Sequence, residues 1–163
     1  MGVRNCEELG INLQKICSRL LNNDRLVNLL YYTEIDPFSK PALTDQQKKQ
    51  QIFNNLIRVV PNIGSREDNR SAIAIFVPEA RKIGENEEFR IVTIAIDIYV
   101  PLTQWLIQDS NMRPFAIMGA IQESLNNKTI NGLGKIKGGD FELVTLTKEM
   151  SGYRQYFKIT EYD

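Results

Sequence analysis

The chain has 163 residues, 20 basic and 20 acidic, for a formal net charge of zero, and no histidine. A neutral chain without a lysine- or arginine-rich run does not suit a dedicated nucleic-acid binder, and nothing in it approaches the ~18 consecutive apolar residues of a membrane span. Without histidine the commonest general base, the usual partner of a Ser or Cys nucleophile and most zinc sites are gone, which leaves carboxylates or lysine for any catalysis.

This length suits one domain over residues 1–163, with a mainly helical part at 1–57 and a sheet with one crossover helix at 58–163. The first residues lack the apolar core of a signal peptide. Met1-Gly2 is a weak myristoylation cue, because the sixth position is Cys6 rather than Ser or Thr. The expected compartment is a cytoplasm. Glu7 to Leu21 reads as a helix, with Leu9, Leu13, Ile16, Cys17, Leu20 and Leu21 on one side. On such a helix Cys6 and Cys17 share a face but sit roughly 16 Å apart along the axis, too far for a disulfide. Both are expected reduced, Cys17 in the core and Cys6 near the surface. Asn22 to Asp24 interrupts the helix, and Leu26, Val27, Leu29 and Leu30 resume the pattern before Tyr31-Tyr32.

Thr33 to Pro41 is a loop by its two prolines, a packed connector or a binding loop. Thr44 and Gln47 fit a capping box for a helix from Asp45 to about Ile57, with Ile52, Phe53, Leu56 and Ile57 on its apolar side. Arg58 to Ile63 is a short edge-like segment. Ser71 to Val77 reads as a strand with Ile73, Ile75 and Val77 on one face. Glu79 to Glu88 is a charged, solvated connection, which makes this strand and the next a long hairpin.

Phe89 to Val100 is the strongest strand signal. Val92, Ile94, Ile96, Ile98 and Val100 form an aliphatic face, against the mixed set Ile91, Thr93, Ala95, Asp97 and Tyr99. Pro101 should weaken regular pairing. Asp97 could be a general acid if buried, but no second carboxylate is placed beside it, and an exposed position on the sheet is expected. Trp105 reads as a core or interface anchor. Pro114 opens a helix whose stripe Pro114, Ile117, Met118, Ile121 and Leu125 should lie on the aliphatic face, with Asp109, Ser110 or Asn111 as cap.

Asn126 to Asp140 is Gly-rich and reads as the least structured stretch, a mobile loop or short hairpin that orders on contact with a partner. A helix precedes it and a strand follows, the reverse of a phosphate loop. Ile130, Leu133 and Ile136 recur every three residues, between polar ones that include Lys135 and Lys137. These apolar residues either dock on a neighbouring subunit or fold back on their own domain as a hairpin. Phe141 to Thr147 and Tyr153 to Thr160 form the closing hairpin. Helices, two strands, a helix and two strands give an α+β fold: an antiparallel sheet of about four strands with helices on one face. No catalytic constellation, metal site or cofactor motif is present, and the acidic residues lack calcium-loop spacing.

Several phrases carry a resemblance. Leu29 to Tyr32 precedes a Pro-containing loop, and the long strand ends in Tyr99-Val-Pro101. The helix Arg113 to Leu125, Ile130-Asn-Gly-Leu-Gly134 and Gly152 to Ile159 follow. In this layout, from about residue 5 onward, the chain resembles the tail-terminator or tail-completion proteins of tailed bacteriophages. The resemblance implies a non-enzymatic virion protein of the tail or neck. It would be a homo-oligomeric, usually hexameric ring that ends the tail tube and meets the head connector. DNA would pass through without specific binding, and the protein would need no cofactor, metal or membrane. Ile130, Leu133, Lys135, Ile136, Lys137 and Trp105 are the candidate assembly residues. Other readings are another neck or head-completion adaptor on the same fold, or a free-standing ligand-binding or enzyme domain.

Overall fold

A computed structural model describes residues 6–61, 68–82, 85, 89–130 and 134–160. Helix α1, Cys6–Leu21, buries Ile16, Cys17 and Leu20. Asn23 then caps helix α2, Asp24–Tyr31, its side chain accepting the Leu26 N–H. Both cysteines are free, Cys6 exposed and Cys17 buried.

The expected helix from Asp45 to about Ile57 is much shorter. The capping box of Thr44 and Gln47 is present and starts α3, Asp45–Gln47. A π-turn, Lys48–Ile52, follows, and Phe53 turns extended. Asn54 enters the left-handed region at φ 58, a conformation asparagine tolerates. This turn lets Ile52, Leu56 and Ile57 all reach the core while the chain changes course into strand β1, Ile57–Arg58.

The sheet has six strands rather than four. Strand β2 is Ala72–Lys82 and β3 is Phe89–Pro101. The small hairpin β4–β5 consists of Leu106–Ile107 and Asn111–Met112, and helix α4 is Arg113–Leu125. Strands β6, β7 and β8 are Thr129–Ile130, Gly134–Thr145 and Met150–Thr160. The order is β1-β2-β3-β8-β7-β6, with β4–β5 apart as a two-stranded ribbon. All neighbours are antiparallel except β1, which lies parallel to β2 through Ile57 opposite Ile73. Residues 79–82 therefore belong to a strand and not to a connection. A bulge between Phe76 and Glu79 shifts the alternation there.

The aliphatic face of β3 is buried as expected, together with Ile73, Ile75, Phe157 and Ile159 from its neighbours. The stripe of α4 covers it: Pro114, Ile117, Met118, Ile121 and Leu125 are all buried. The cap differs from expectation. Asp109 and Ser110 both have positive φ and form the turn of the β4–β5 hairpin. The Asn111 side chain accepts the Met112 N–H, so Met112 caps α4 without a side-chain bond.

The mixed face of β3 also differs. Asp97 is fully buried, not exposed. Arg154, two-thirds buried, binds both its oxygens, Nε at 2.6 Å and Nη2 at 2.9 Å. The Tyr99 hydroxyl donates to Oδ2 at 3.1 Å. The Arg154 guanidinium also lies over the Phe76 ring, 5.1 Å from its centroid. Ala72, Ala74 and Tyr99 make a second small core with Val60, Val144, Leu146 and Met150. A carboxylate with a bidentate arginine can be buried; one facing apolar neighbours alone could not.

Candidate functional site

The residues proposed for assembly separate into three places. Leu133 lies outside the described residues. Ile130 and Ile136 are in the chain's own core, 6% and 0% exposed, so the hairpin alternative holds for them. Asn127, left-handed at φ 59, turns the chain back after α4. Its N–H then donates to Ile136 O at 2.8 Å, and Ile136 N–H donates to Lys128 O at 2.9 Å. These bonds give the Gly-rich stretch an ordered place on the edge of the sheet. Lys135 and Lys137 start β7 on the face away from the helices, where Lys137 stands directly opposite Lys158.

Trp105 leads somewhere else. It is half-buried, with its ring centroid 6.3 Å from that of Tyr153. Tyr153 in turn lies 5.1 Å from Phe115 and 5.4 Å from Phe141, and those two are 6.1 Å apart. Phe115 is 41% exposed, Phe141 52% and Leu143 65%. The hairpin between Trp105 and Phe115 also leaves Leu106 and Met112 exposed, as cross-strand partners of one another. The four rings form a contiguous aromatic surface spanning the start of α4 and the β7–β8 pair. Rings at these separations attract through edge and offset contacts, and their open faces present apolar area to water. Clustered apolar exposure of this kind marks an interaction surface.

This surface has a rigid support. Arg113, the first residue of α4, is fully buried. Its Nε donates to Gln104 O at 3.0 Å, Nη1 to Leu29 O at 2.7 Å and Tyr32 O at 2.9 Å, and Nη2 to Glu34 O at 2.7 Å. One guanidinium thus ties the end of α2, the following loop and the segment before Trp105 to the helix that carries Phe115. Burial lowers its pKa, yet the group stays charged, balanced by four carbonyl dipoles. Asn23 adds a second tie, donating to Ala120 O at 3.1 Å and Ser124 Oγ at 2.8 Å in α4.

Other concave places offer less chemistry. A cleft of about 500 Å³ is lined by Arg19, Asn22, Asn23, Glu123, Ser124 and Lys128, and its Arg19 and Asn23 donate to Ser124 across it. Among the described residues no three His, Cys, Asp or Glu side chains gather as a metal site requires, and no helix is long and apolar enough to cross a membrane.

A family model described as YomW matches residues 23–159. The chain belongs to the YomW family. The family name is of a phage-associated type. The match runs from the Asn23 cap to Ile159 of β8, and so includes Arg113 and the whole aromatic surface of this YomW chain. No curated protein and no solved structure matches it.

Of the surface residues, the sequence reading singled out only Trp105. Phe115 falls outside the buried stripe of α4, which was its one visible signal. Phe141 and Leu143 alternate with Asp140 and Glu142, a pattern that also fits an ordinary half-buried strand.

Proposed function

We propose that this protein is a non-enzymatic virion component, a tail-terminator-like subunit of a neck ring. It would assemble with copies of itself, as a hexamer by the resemblance, end the tail tube and offer a face to the head connector, with DNA passing through unbound. The observation that carries the reading is the exposed aromatic surface of Trp105, Phe115, Phe141 and Tyr153 on a chain of a phage-associated family. A surface held this firmly suits a protein whose work is contact. The zero net charge supports passage of DNA without grip. Head-to-tail contacts between such subunits close into a ring when the rotation closes.

The mass of the purified protein, alone and mixed with tail tube protein, tests this by light scattering. A ring mass in either condition is expected, and particles lacking the protein should carry tails of uncontrolled length. A strict monomer in the presence of every virion partner would sink the reading. Binding to the connector but not to the tube would favour another neck or head-completion adaptor. Turnover abolished by one carboxylate substitution, with the fold intact, would favour an enzyme.

A further inference from the structure

Among the described residues no strand covers the outer edge of β7 over its last part, and the hydrogen bonds on either side fix which groups point outward. Ile136 directs both N–H and C=O away from β8, to Lys128 and Asn127. Gly138 N–H also points out, to Asn126 Oδ1 at 3.3 Å. Inward and outward groups alternate in an antiparallel pair. β8 keeps its alternation through the partners Ile159, Phe157, Gln155, Tyr153 and Ser151, so the single irregularity between Gly138 and Asp140 in β7 does not lose the phase. Phe141, Leu143 and Thr145, opposite Gln155, Tyr153 and Ser151, therefore turn their N–H and C=O groups outward. At the far end Leu146 N–H points inward, to Met150 O at 3.2 Å, as this phase requires. No strand among the described residues pairs with the outward groups, because β6 reaches only Gly134 and Lys135.

The side chains divide cleanly. Phe141 and Leu143 lie on the helix side, beside Phe115. Asp140 and Glu142 are exposed on the other side, where Glu142 also accepts the Tyr156 hydroxyl at 2.8 Å. The opposite edge of the sheet is guarded: β1 covers Ile73 and Ala74 of β2, and Pro78 interrupts the rest. From Asp140 to Thr145, β7 has neither a proline nor a basic residue.

We propose that the Phe141–Thr145 edge accepts an extended strand of a partner protein in which apolar side chains alternate with lysine or arginine. This rests on reading the aromatic surface as an assembly site. The partner's backbone would complete the ladder, its apolar residues would cover Phe141, Leu143 and Phe115, and its cations would face Asp140 and Glu142. A second copy of β7 is a poorer occupant. Paired antiparallel about Leu143, it would set Glu142 against Val144; about Glu142, it would set two carboxylates face to face. The register that brings Lys137 opposite Glu142 would need the outward groups of Ile136, which are already used.

Trp105 is the single tryptophan and reports on the site. Its fluorescence should titrate saturably with a short blocked peptide alternating lysine and valine, and at least about tenfold more weakly with the glutamate–valine version. Glu142→Lys should reverse that preference. Leu143→Pro removes an outward N–H without touching the β7–β8 ladder, and should weaken binding about tenfold while the melting temperature stays near that of the wild type. Equal binding of the two peptides, no binding, or undiminished binding by a folded Leu143→Pro variant would overturn the proposal. So would a concentration-dependent dimer that Leu143→Pro abolishes, which would make the occupant a second copy. Ring mass is measured separately: a ring without peptide binding refutes the edge alone, and peptide binding by a strict monomer leaves the edge standing while the ring reading falls.

Discussion

Asp97 and Arg154 form a pair whose ends sit in different surroundings, 1% and 31% exposed at the side chain. Removing the arginine strands a carboxylate in the interior; removing the acid leaves a guanidinium that can turn toward water. Arg154→Met should therefore cost about 3–5 kcal/mol, and Asp97→Asn distinctly less, in urea denaturation. Equal losses would mean that Asp97 gains solvent once its partner is gone. Two other buried groups set an alkaline limit. Burial pushes the Cys17 thiol from 9.0 up to about 11. Burial, then the neighbouring Asp97, pushes the Tyr99 phenol from 10.0 up to about 12. In each case the fold favours the neutral form, and the unfolded chain releases its proton first. Their contribution is thus full below the ordinary value and is lost as pH rises through the folded one. Melting temperature should fall between about pH 9 and pH 12, and Tyr99→Phe should flatten the upper part of that fall. Asp97 shows where reading a sequence stops: its strand was evident, but the arginine that permits its burial lies 57 positions away.

Among the elements, β3 and α4 were legible because each carries one unbroken apolar face, Val92 to Val100 at period two and Pro114 to Leu125 at helical spacing. The segment after Asp45 was not, because Ile52, Leu56 and Ile57 fit a helical stripe as well as they fit a turn followed by a strand. Asn54 decides between them by turning left-handed; asparagine favours turns over helix interiors, but one such residue does not end a helical stripe on its own. The closing hairpin was legible, but its tightest point was not. A Cβ on Gly152 would fall 1.6 Å from the Ile98 carbonyl oxygen, inside the β3–β8 pair. Backbone cannot yield there as a side-chain tip could. Gly152→Ala should leave little folded protein by circular dichroism, whereas Gly119→Ala, with open space around its Cβ, should fold normally. Gly138 has a comparable restriction: at φ 152 its Cβ would meet Tyr156 O at 2.4 Å, where β7 breaks register.

Across the whole molecule, Arg113 is the tie between the helical layer and the aromatic surface. Nothing in Met112-Arg113-Pro114 marks it out, since an arginine at a helix start is usually solvated and works against the dipole. Here it serves four carbonyls from three segments. Arg113→Met keeps the bulk and removes every donor, and should cost more than about 3 kcal/mol. Arg113→Lys should recover only part of this, because an ammonium cannot reproduce the planar fork. Chemical denaturation measures both. If Arg113→Met were neutral, water would have to reach those carbonyls.

The bare edge at Phe141 to Thr145 also bears on how the protein behaves when it is made alone. A strand that no other strand covers among the described residues, with exposed Phe141 and Leu143, is a template for fibre-like stacking as well as for a partner. The isolated protein should therefore aggregate increasingly as its concentration rises, and stay dispersed when the edge is covered or when a charge replaces Leu143. If a partner strand takes the edge as proposed, the same hazard favours making this chain alongside that partner, so that little of it accumulates uncovered.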